Sequence, residues 1–476
     1  MNVLFNVMSG RGHTQAGLRL ASELRAKGHQ VTFLCWQDAV EEFRVEGFST
    51  VLYAENILPD STTCPASTEG AAAQHLSDSV ASRQLKKETL FESYLDHIVN
   101  GELDSRIKSV SPDVFVFDSF LWANALRAQF LGIPVVSLSI PMAFRANTKI
   151  PPVTSARKLS GKVVDQCAIC FDWLKLEVRN FCISSPLLWF SRQYRHPSRF
   201  HHLTSVYGQL AKQSGRSARR NHDYVLTEFG PRLCVPEIVC APRDLQFAAN
   251  VTDPRVYWGN YVDQNRRESQ GRTVDLDPDK PWVYCSLGTE SQFYPHAKKF
   301  FRAIVEASRL KPEWQWILSA PDGVLDSSQQ LPENLQVSNW WPQIQILKNA
   351  TVMVTYGGIN SILEGVEFEV PMVIVPGARD QPGNAARAES SGIAQTIPMR
   401  KIRGTALVSV VQHCAQSQSM QKCLTQIRAS IHQNSVVQPA IDLIESAGLN
   451  PLSGTLNSDR LVYRKWGRRE LNEWNP

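Results

Sequence analysis

Short apolar runs, each closed by glycine or polar residues and followed by apolar positions at helical spacing, recur along this chain. Val3 to Met8 is the first, and it predicts a buried strand that breaks at Gly10-Arg11-Gly12-His13. Leu18, Leu20, Ala21 and Leu24 then fit one helix face, and Val31 to Cys35 predicts a second strand. Strand, helix and strand make a β-α-β unit, the seed of a parallel sheet. The unit returns at Val114 to Asp118, with a helix through Ala123, Leu126, Ala128 and Phe130 and a strand at Val135 to Leu138. Between about residues 140 and 230 the pattern loosens into mixed aromatic and basic residues with an irregular helical character. Leu245 to Phe247 and Val256 to Gly259 again read as strands, before a polar stretch from Asp263 to Lys280.

The rhythm restarts at Trp282 to Gly288, with strand signals at Trp316 to Ser319, Leu335 to Val337, Val352 to Thr355 and Met372 to Val375. The expected fold is therefore α/β, with two facing Rossmann-like, doubly wound domains and a cleft between them. The expected limits are 1–262 for the first domain, 263–280 for a linker and 281–455 for the second domain, with 456–476 packing back on the first.

Composition narrows the function. Of 476 residues, 43% are hydrophobic and 20% charged, enough for real cores and against a disordered chain. A net charge of +5 is too small for a nucleic-acid track, so no nucleic-acid partner is expected. Ten cysteines lack a repeating spacing. Cys167 and Cys170 form one CxxC without a second pair, expected to share a buried helix face as thiols rather than to hold zinc. The opening residues do not read as a secretory signal, and no run reaches the roughly 18–20 apolar residues that span a bilayer. A cytoplasmic protein, at most peripheral at a membrane, is expected.

The densest chemistry lies from Asn339 to Arg387. Val352 to Thr355 predicts a strand, Tyr356-Gly357-Gly358 a tight turn and Ile359 to Val366 a helix. Paired glycines let a ligand approach the backbone, and the helix N-terminus favours an anion such as a diphosphate. Asn360 and Ser361 add donors there, and Glu364 is suited to accept from ribose hydroxyls. Neither a GK[ST] phosphate loop nor a complete GxGxxG is present in this turn.

In order along the chain stand Trp340-x-Pro342-Gln343-x-x-Ile346-Leu347, Thr355-x-Gly357-Gly358-x-Asn360-Ser361-x-x-Glu364, Val370-Pro371, Pro376 and Asp380-Gln381-Pro382-x-Asn384-Ala385-Ala386-Arg387. This series resembles the donor-binding signature of family 1 UDP-glycosyltransferases of GT-B fold, most closely the bacterial branch with zeaxanthin and macrolide glycosyltransferases. The resemblance implies that Trp340 stacks on the uracil, with Gln343 beside base and ribose and Glu364 on the ribose. It implies that Gly357 to Ser361 hold the phosphates, with Ser286 and Thr289 on a second phosphate-facing loop, and that Asp380 and Gln381 grip the sugar. Tyr356 stands where the family usually has a diphosphate-contacting His, a departure that removes a positive charge.

Transfer to a hydroxyl needs a base. His13 sits in the turn after the first strand, where the family places its catalytic His, and Asp118 ends a strand at the place of the family's His-orienting Asp. Each residue also has a plainer reading as a helix cap. The implied reaction is a single displacement that inverts the anomeric carbon, with a UDP-hexose, glucose favoured by Gln381, as co-substrate, no further cofactor and no metal. Asp275-Leu276-Asp277 reads as a solvated loop.

Phe144, Phe171, Trp173, Phe181, Leu188, Trp189 and Phe190 point to a small, lipophilic hydroxylated acceptor, although each also suits a core. Arg464 to Arg469 could touch anionic lipid. The rival readings are a nucleotide-sugar epimerase and a degenerate homologue that binds nucleotide sugar or steadies a partner.

Overall fold

The computed structural model describes residues 1–53, 94–142, 149–159, 163–184, 206, 208–210, 212–213, 224–227, 230–233, 235–247, 255–259, 262, 277–288, 296–321, 324–325, 330–433 and 437–449. Runs such as Val3-Leu4-Phe5 and Val114 to Phe117 are buried along their whole length, because helices cover both faces of the sheet they form.

The first sheet holds β1 (Asn2–Asn6), β2 (Gln30–Cys35), β3 (Ser49–Leu52), β4 (Val114–Asp118) and β5 (Val135–Ser139). A hairpin of β6 (Tyr224–Thr227) and β7 (Gly230–Leu233) precedes its last strands, β8 (Glu237–Val239) and β9 (Val256–Tyr257). The order is β3-β2-β1-β4-β5-β8-β9, and every pairing within it is parallel. Helices α1 (Arg11–Ala26), α2 (Val40–Val45), α3 (Glu102–Val110), α4 (Trp122–Phe130) and α5 (Val163–Ser184) belong to this half.

The second sheet holds β10 (Trp282–Ser286), β11 (Gln315–Ser319), β12 (Leu335–Ser338), β13 (Val352–Thr355), β14 (Met372–Ile374) and β15 (Ala394–Thr396). Its order is β12-β11-β10-β13-β14-β15, again parallel throughout. Its helices are α6 (Ala297–Leu310), α7 (Gln343–Leu347), α8 (Ile359–Glu367), α9 (Gln381–Ser390), α10 (Gly404–Gln416) and α11 (Gln418–Ile431). The strand order reverses between β1 and β4 in one sheet and between β10 and β13 in the other. Such switch points open crevices at the carboxyl ends of the strands.

A last helix, α12 (Gln438–Leu449), leaves the second half and packs on the first. Its Ala440, Ile441, Ile444 and Ala447 join one apolar cluster with Val3, Val116 and Val136. His29 meets Glu445 at 2.9 Å and Lys27 donates to Gln438 at 2.6 Å, so His29 is structural. The return to the first half thus occurs before the 456–476 segment expected to make it, and that segment lies outside the described residues. Of the expected linker, 263–276 also lies outside them, whereas Asp277 is tied to the second sheet through Gln315 and Trp282.

Two readings change. Leu245 to Phe247 is not a strand; Pro242 starts a 3-10 turn at Arg243–Leu245. Cys167 is exposed and Cys170 half-buried, so they share no buried face. The helix α5 turns Ile169, Trp173 and Leu176 inward instead. Cys35 and Cys414 are packing residues, and burial pushes their thiols up to about 12. No helix among the described residues is long and apolar enough to cross a membrane.

Candidate active site

His13 lies in the first turn of α1, just past the β1–β4 switch point. Gly10, at φ 140°, turns the chain into the helix, and its carbonyl accepts from the His13 and Thr14 amides. Asp118, the last residue of β4, is fully buried, and its Oδ2 lies 2.5 Å from His13 Nδ1, whose side chain remains 25% exposed. The other carboxylate oxygen accepts from Phe120 N at 3.0 Å, which fixes the rotamer, and the Phe120 ring meets the imidazole edge-on at 5.7 Å. His13 and Asp118, both candidates on sequence, therefore meet as a pair. Asp118 is also a turn former here, since its carbonyl accepts from Leu121 N at 2.7 Å.

The second sheet presents its candidates along the same kind of edge. Ser286 ends β10 beside Thr355, its register partner at the end of β13, and its hydroxyl accepts from Gly288 N at 3.1 Å. Thr289 lies outside the described residues. After β13, Gly357 takes φ 83°, and a Cβ there would come 2.6 Å from Ile374 Cγ2, so only glycine fits. Gly358 precedes α8, and a Cβ on it would meet open space, which leaves the N-terminal amides of the helix approachable. Ser361 lies half-buried in the first turn.

Glu364, one turn further along α8, is buried and accepts from the side-chain amide of Gln343 at the start of α7. Tyr284 donates in turn to Gln343 Oε1 at 3.1 Å, a link the sequence did not disclose. Trp340, half-buried, stands just before this group, whereas Trp341 is core and donates from Nε1 to Leu318 O at 2.9 Å. Asp380 and Gln381 start α9. The Asp380 carboxylate accepts from Asn384 at 2.8 Å, and burial raises its pKa despite that bond and the charges of His13 and Arg379. Gln381 Oε1 accepts from Gly377 N and Ala378 N, both at 3.0 Å, and so shapes the loop above the site.

Tyr356 is 2% exposed and belongs to the helix–sheet core, its ring edge-on to Phe300 at 6.0 Å. The far edge of the ring borders the loop that Gln381 holds, where a Cβ on Gly377 would come 3.2 Å from Tyr356 Cε2. Of the expected acceptor aromatics, Trp173 is core, with Nε1 donating to Ile150 O at 2.8 Å, and Phe171 is exposed. Phe144, Leu188, Trp189 and Phe190, the Phe181 side chain and Arg464 to Arg469 lie outside the described residues.

The two halves touch at the centre of the site. Asn360, in the first turn of α8, donates to Gly12 O at 3.0 Å, beside His13. A His–Asp pair thus faces a helix N-terminus flanked by a Gln–Glu pair and by a half-buried Asp, an arrangement suited to holding a nucleotide diphosphate opposite a base.

Residues 279–444 match the family described as UDP-glucoronosyl and UDP-glucosyl transferase. Among characterised proteins, the chain is 21% identical over 439 residues to the NDP-glycosyltransferase YjiC of Bacillus subtilis, covering 91% of this chain and 94% of that one. It is 22% identical over 457 residues to the zeaxanthin glucosyltransferase of Pantoea ananas, covering 93% and 96%. The solved structure of the glycotransferase of kitacinnamycin superposes with a TM-score of 0.66 at 22% identity, over 94% of this chain and 98% of that one. Residues 279–444 thus carry the UDP-glycosyltransferase family match, and over nine-tenths of its length the chain is similar to bacterial glycosyltransferases. This UDP-glycosyltransferase has the GT-B fold and moves a sugar from a nucleotide sugar to a small-molecule acceptor. The match through 279–444 covers every donor-side candidate from Ser286 to Gln381.

Proposed function

We propose that this glycosyltransferase transfers a hexose, glucose foremost, from a UDP-sugar to a hydroxyl of a small lipophilic acceptor, with His13 as general base. The observation that carries the reading is the 2.5 Å contact between His13 Nδ1 and the buried Asp118 carboxylate, opposite the N-terminus of α8. A carboxylate on Nδ1 holds the tautomer with its proton there and stabilises the imidazolium, so proton uptake falls to Nε2. The acceptor hydroxyl gives its proton to Nε2 while its oxygen forms a bond to the anomeric carbon. The bond from that carbon to the β-phosphate oxygen breaks, and UDP leaves with the electron pair. One displacement inverts the anomeric configuration.

On the donor side, Trp340 stacks the uracil while Glu364 and Gln343 take the ribose. The amides of Gly358 to Ser361, with the Ser286–Thr289 loop, receive the diphosphate. Because Tyr356 is a core residue, this charge falls to the helix N-terminus without a cationic side chain. Asp380 accepts from sugar hydroxyls, and Gln381 acts there through the loop it shapes. No metal and no further cofactor enters the reading. The lipophilic acceptor draws support from relatives such as the zeaxanthin glucosyltransferase of Pantoea ananas and the oleandomycin glycosyltransferase of Streptomyces antibioticus. The enzyme works in the cytoplasm on this reading, with peripheral contact at a membrane where a lipophilic acceptor resides.

Incubation with UDP-α-glucose and a panel of hydroxylated xanthophylls, macrolides and sterols tests the proposal. A β-glucoside by mass and anomeric coupling supports it. An α-glucoside would sink the single displacement, and binding of UDP-glucose without turnover would favour a degenerate homologue.

A further inference from the structure

We infer that Arg387 is a positioning residue: it latches helix α9 onto the first domain and thereby sets how the Asp380–Gln381 end of that helix stands against His13. The inference rests on the donor roles proposed above for that helix. Arg387 lies less than two turns along α9 from Gln381, about 9 Å at 1.5 Å per residue.

Its guanidinium is charged at every working pH, yet the residue is only 1% exposed. Three of the groups that compensate this burial come from the other domain. Nε donates to Gln246 Oε1 at 2.7 Å, Nη2 to Pro151 O at 3.4 Å, and the ring of Phe247 lies 4.8 Å from the guanidinium carbon. The bond from Nη1 to Gly383 O, at 3.2 Å, stays within α9. Ile150, Phe247 and Ala386 close an apolar cluster beside it. A guanidinium buried this way is stabilised only while the two segments around Ile150 and Gln246 stand against the helix.

The rest of α9 follows the same seam. Gly383 passes so close to the Val153 carbonyl that a side chain would collide with it. Lys158 reaches Glu389 at 2.5 Å, and just past the helix Ser391 donates to Asp244 O at 3.2 Å. The helix that begins with Asp380 and Gln381 is therefore held along its length by the domain that carries the base. Asp380 already lies within electrostatic range of His13. A shift of about 1 Å in such an alignment costs on the order of 100-fold in rate.

The test compares the wild-type chain with Arg387→Met, which keeps bulk and removes the fork, and Arg387→Lys, which keeps one charge without it. Small-angle scattering reads cleft closure, calorimetric titration reads the affinity for UDP, and turnover of UDP-glucose gives kcat and KM. Arg387→Met is expected to raise the radius of gyration and leave the UDP Kd within about twofold, while kcat falls at least about tenfold. Arg387→Lys is expected to fall between. A scattering profile that superposes on wild type overturns the latch. So does a UDP Kd that weakens in step with kcat, because Arg387 would then merely support the donor site. Should Arg387→Met not fold, Gln246→Ala removes the same bond from the other side and is expected to give the same split, with the same overturning results. If wild type turns over no UDP-sugar but scattering still separates the variants, the proposed donor falls and the latch stands.

Discussion

The side-chain amide of Asn360 lies 3.0 Å from the carbonyl oxygen of Gly12, so the first turn of α8 rests on the residue beside His13. Two helix N-termini, one carrying His13 and the other following the Gly357–Gly358 turn, are thereby set against each other. A Cβ on Gly12 would come 3.1 Å from that same amide nitrogen, so a side chain there would press on the Asn360 amide.

Asn360→Ala should therefore lower kcat by about 10–100-fold through misalignment. The stability cost of the lost bond should stay near 0.5–1.5 kcal/mol. Asn360→Asp should be worse, because its carboxylate would face both the Gly12 carbonyl and the anionic donor. Steady-state kinetics at saturating UDP-glucose, with urea unfolding alongside, read both effects; an alanine variant with wild-type kcat would remove the link from the account.

Tyr356 offers a test of placement. Restoring the imidazole common in relatives should not strengthen donor binding, since the side chain packs on Phe300 within the core. Tyr356→His is expected to lose about 1–3 kcal/mol of stability through poorer packing and a buried polar ring. Its UDP Kd should stay within about twofold. Tenfold tighter UDP binding would mean that position 356 reaches the diphosphate after all.

Asp380 carries a pH signature. Burial holds its carboxyl above the ordinary aspartate value, so the folded state binds this proton more tightly than the unfolded one. Its contribution thus favours folding below the unfolded pKa and is lost as pH rises through the folded pKa. Asp380→Asn can keep the bond from Asn384 and removes the ionisation. Relative to wild type, the variant should gain stability between pH 4 and pH 7 while losing affinity for the donor sugar. Urea midpoints at the two pH values decide it; a constant difference would show that Asp380 ionises as freely when folded as when unfolded.

The strands that line both switch points were legible because a sheet covered on both faces leaves unbroken apolar runs such as Val3 to Phe5 and Val352 to Val354. The residues of the donor series were legible as an ordered motif, His13 by its place in the turn after the first strand and Asp118 as the polar residue that ends an apolar run. Strands as short as Met372–Ile374 and Ala394–Thr396 carry little periodicity, and the second of these passed unseen. The burial of Tyr356 depends on Phe300, far away in sequence, and that of Arg387 on Gln246 in the other domain. Local spacing records neither. Helix α12 has an apolar face that fits either sheet, so its return to the first domain could be read only from packing.

The central claim is that His13 is the base of a sugar transfer from a UDP-donor. Its most direct test is transfer from UDP-glucose by wild type and His13→Ala, measured with the UDP affinity of each. The account predicts that the alanine variant binds UDP within about twofold of wild type and loses about 10²–10⁴-fold in kcat, the range of general-base catalysis. Transfer at the wild-type rate by His13→Ala would contradict it.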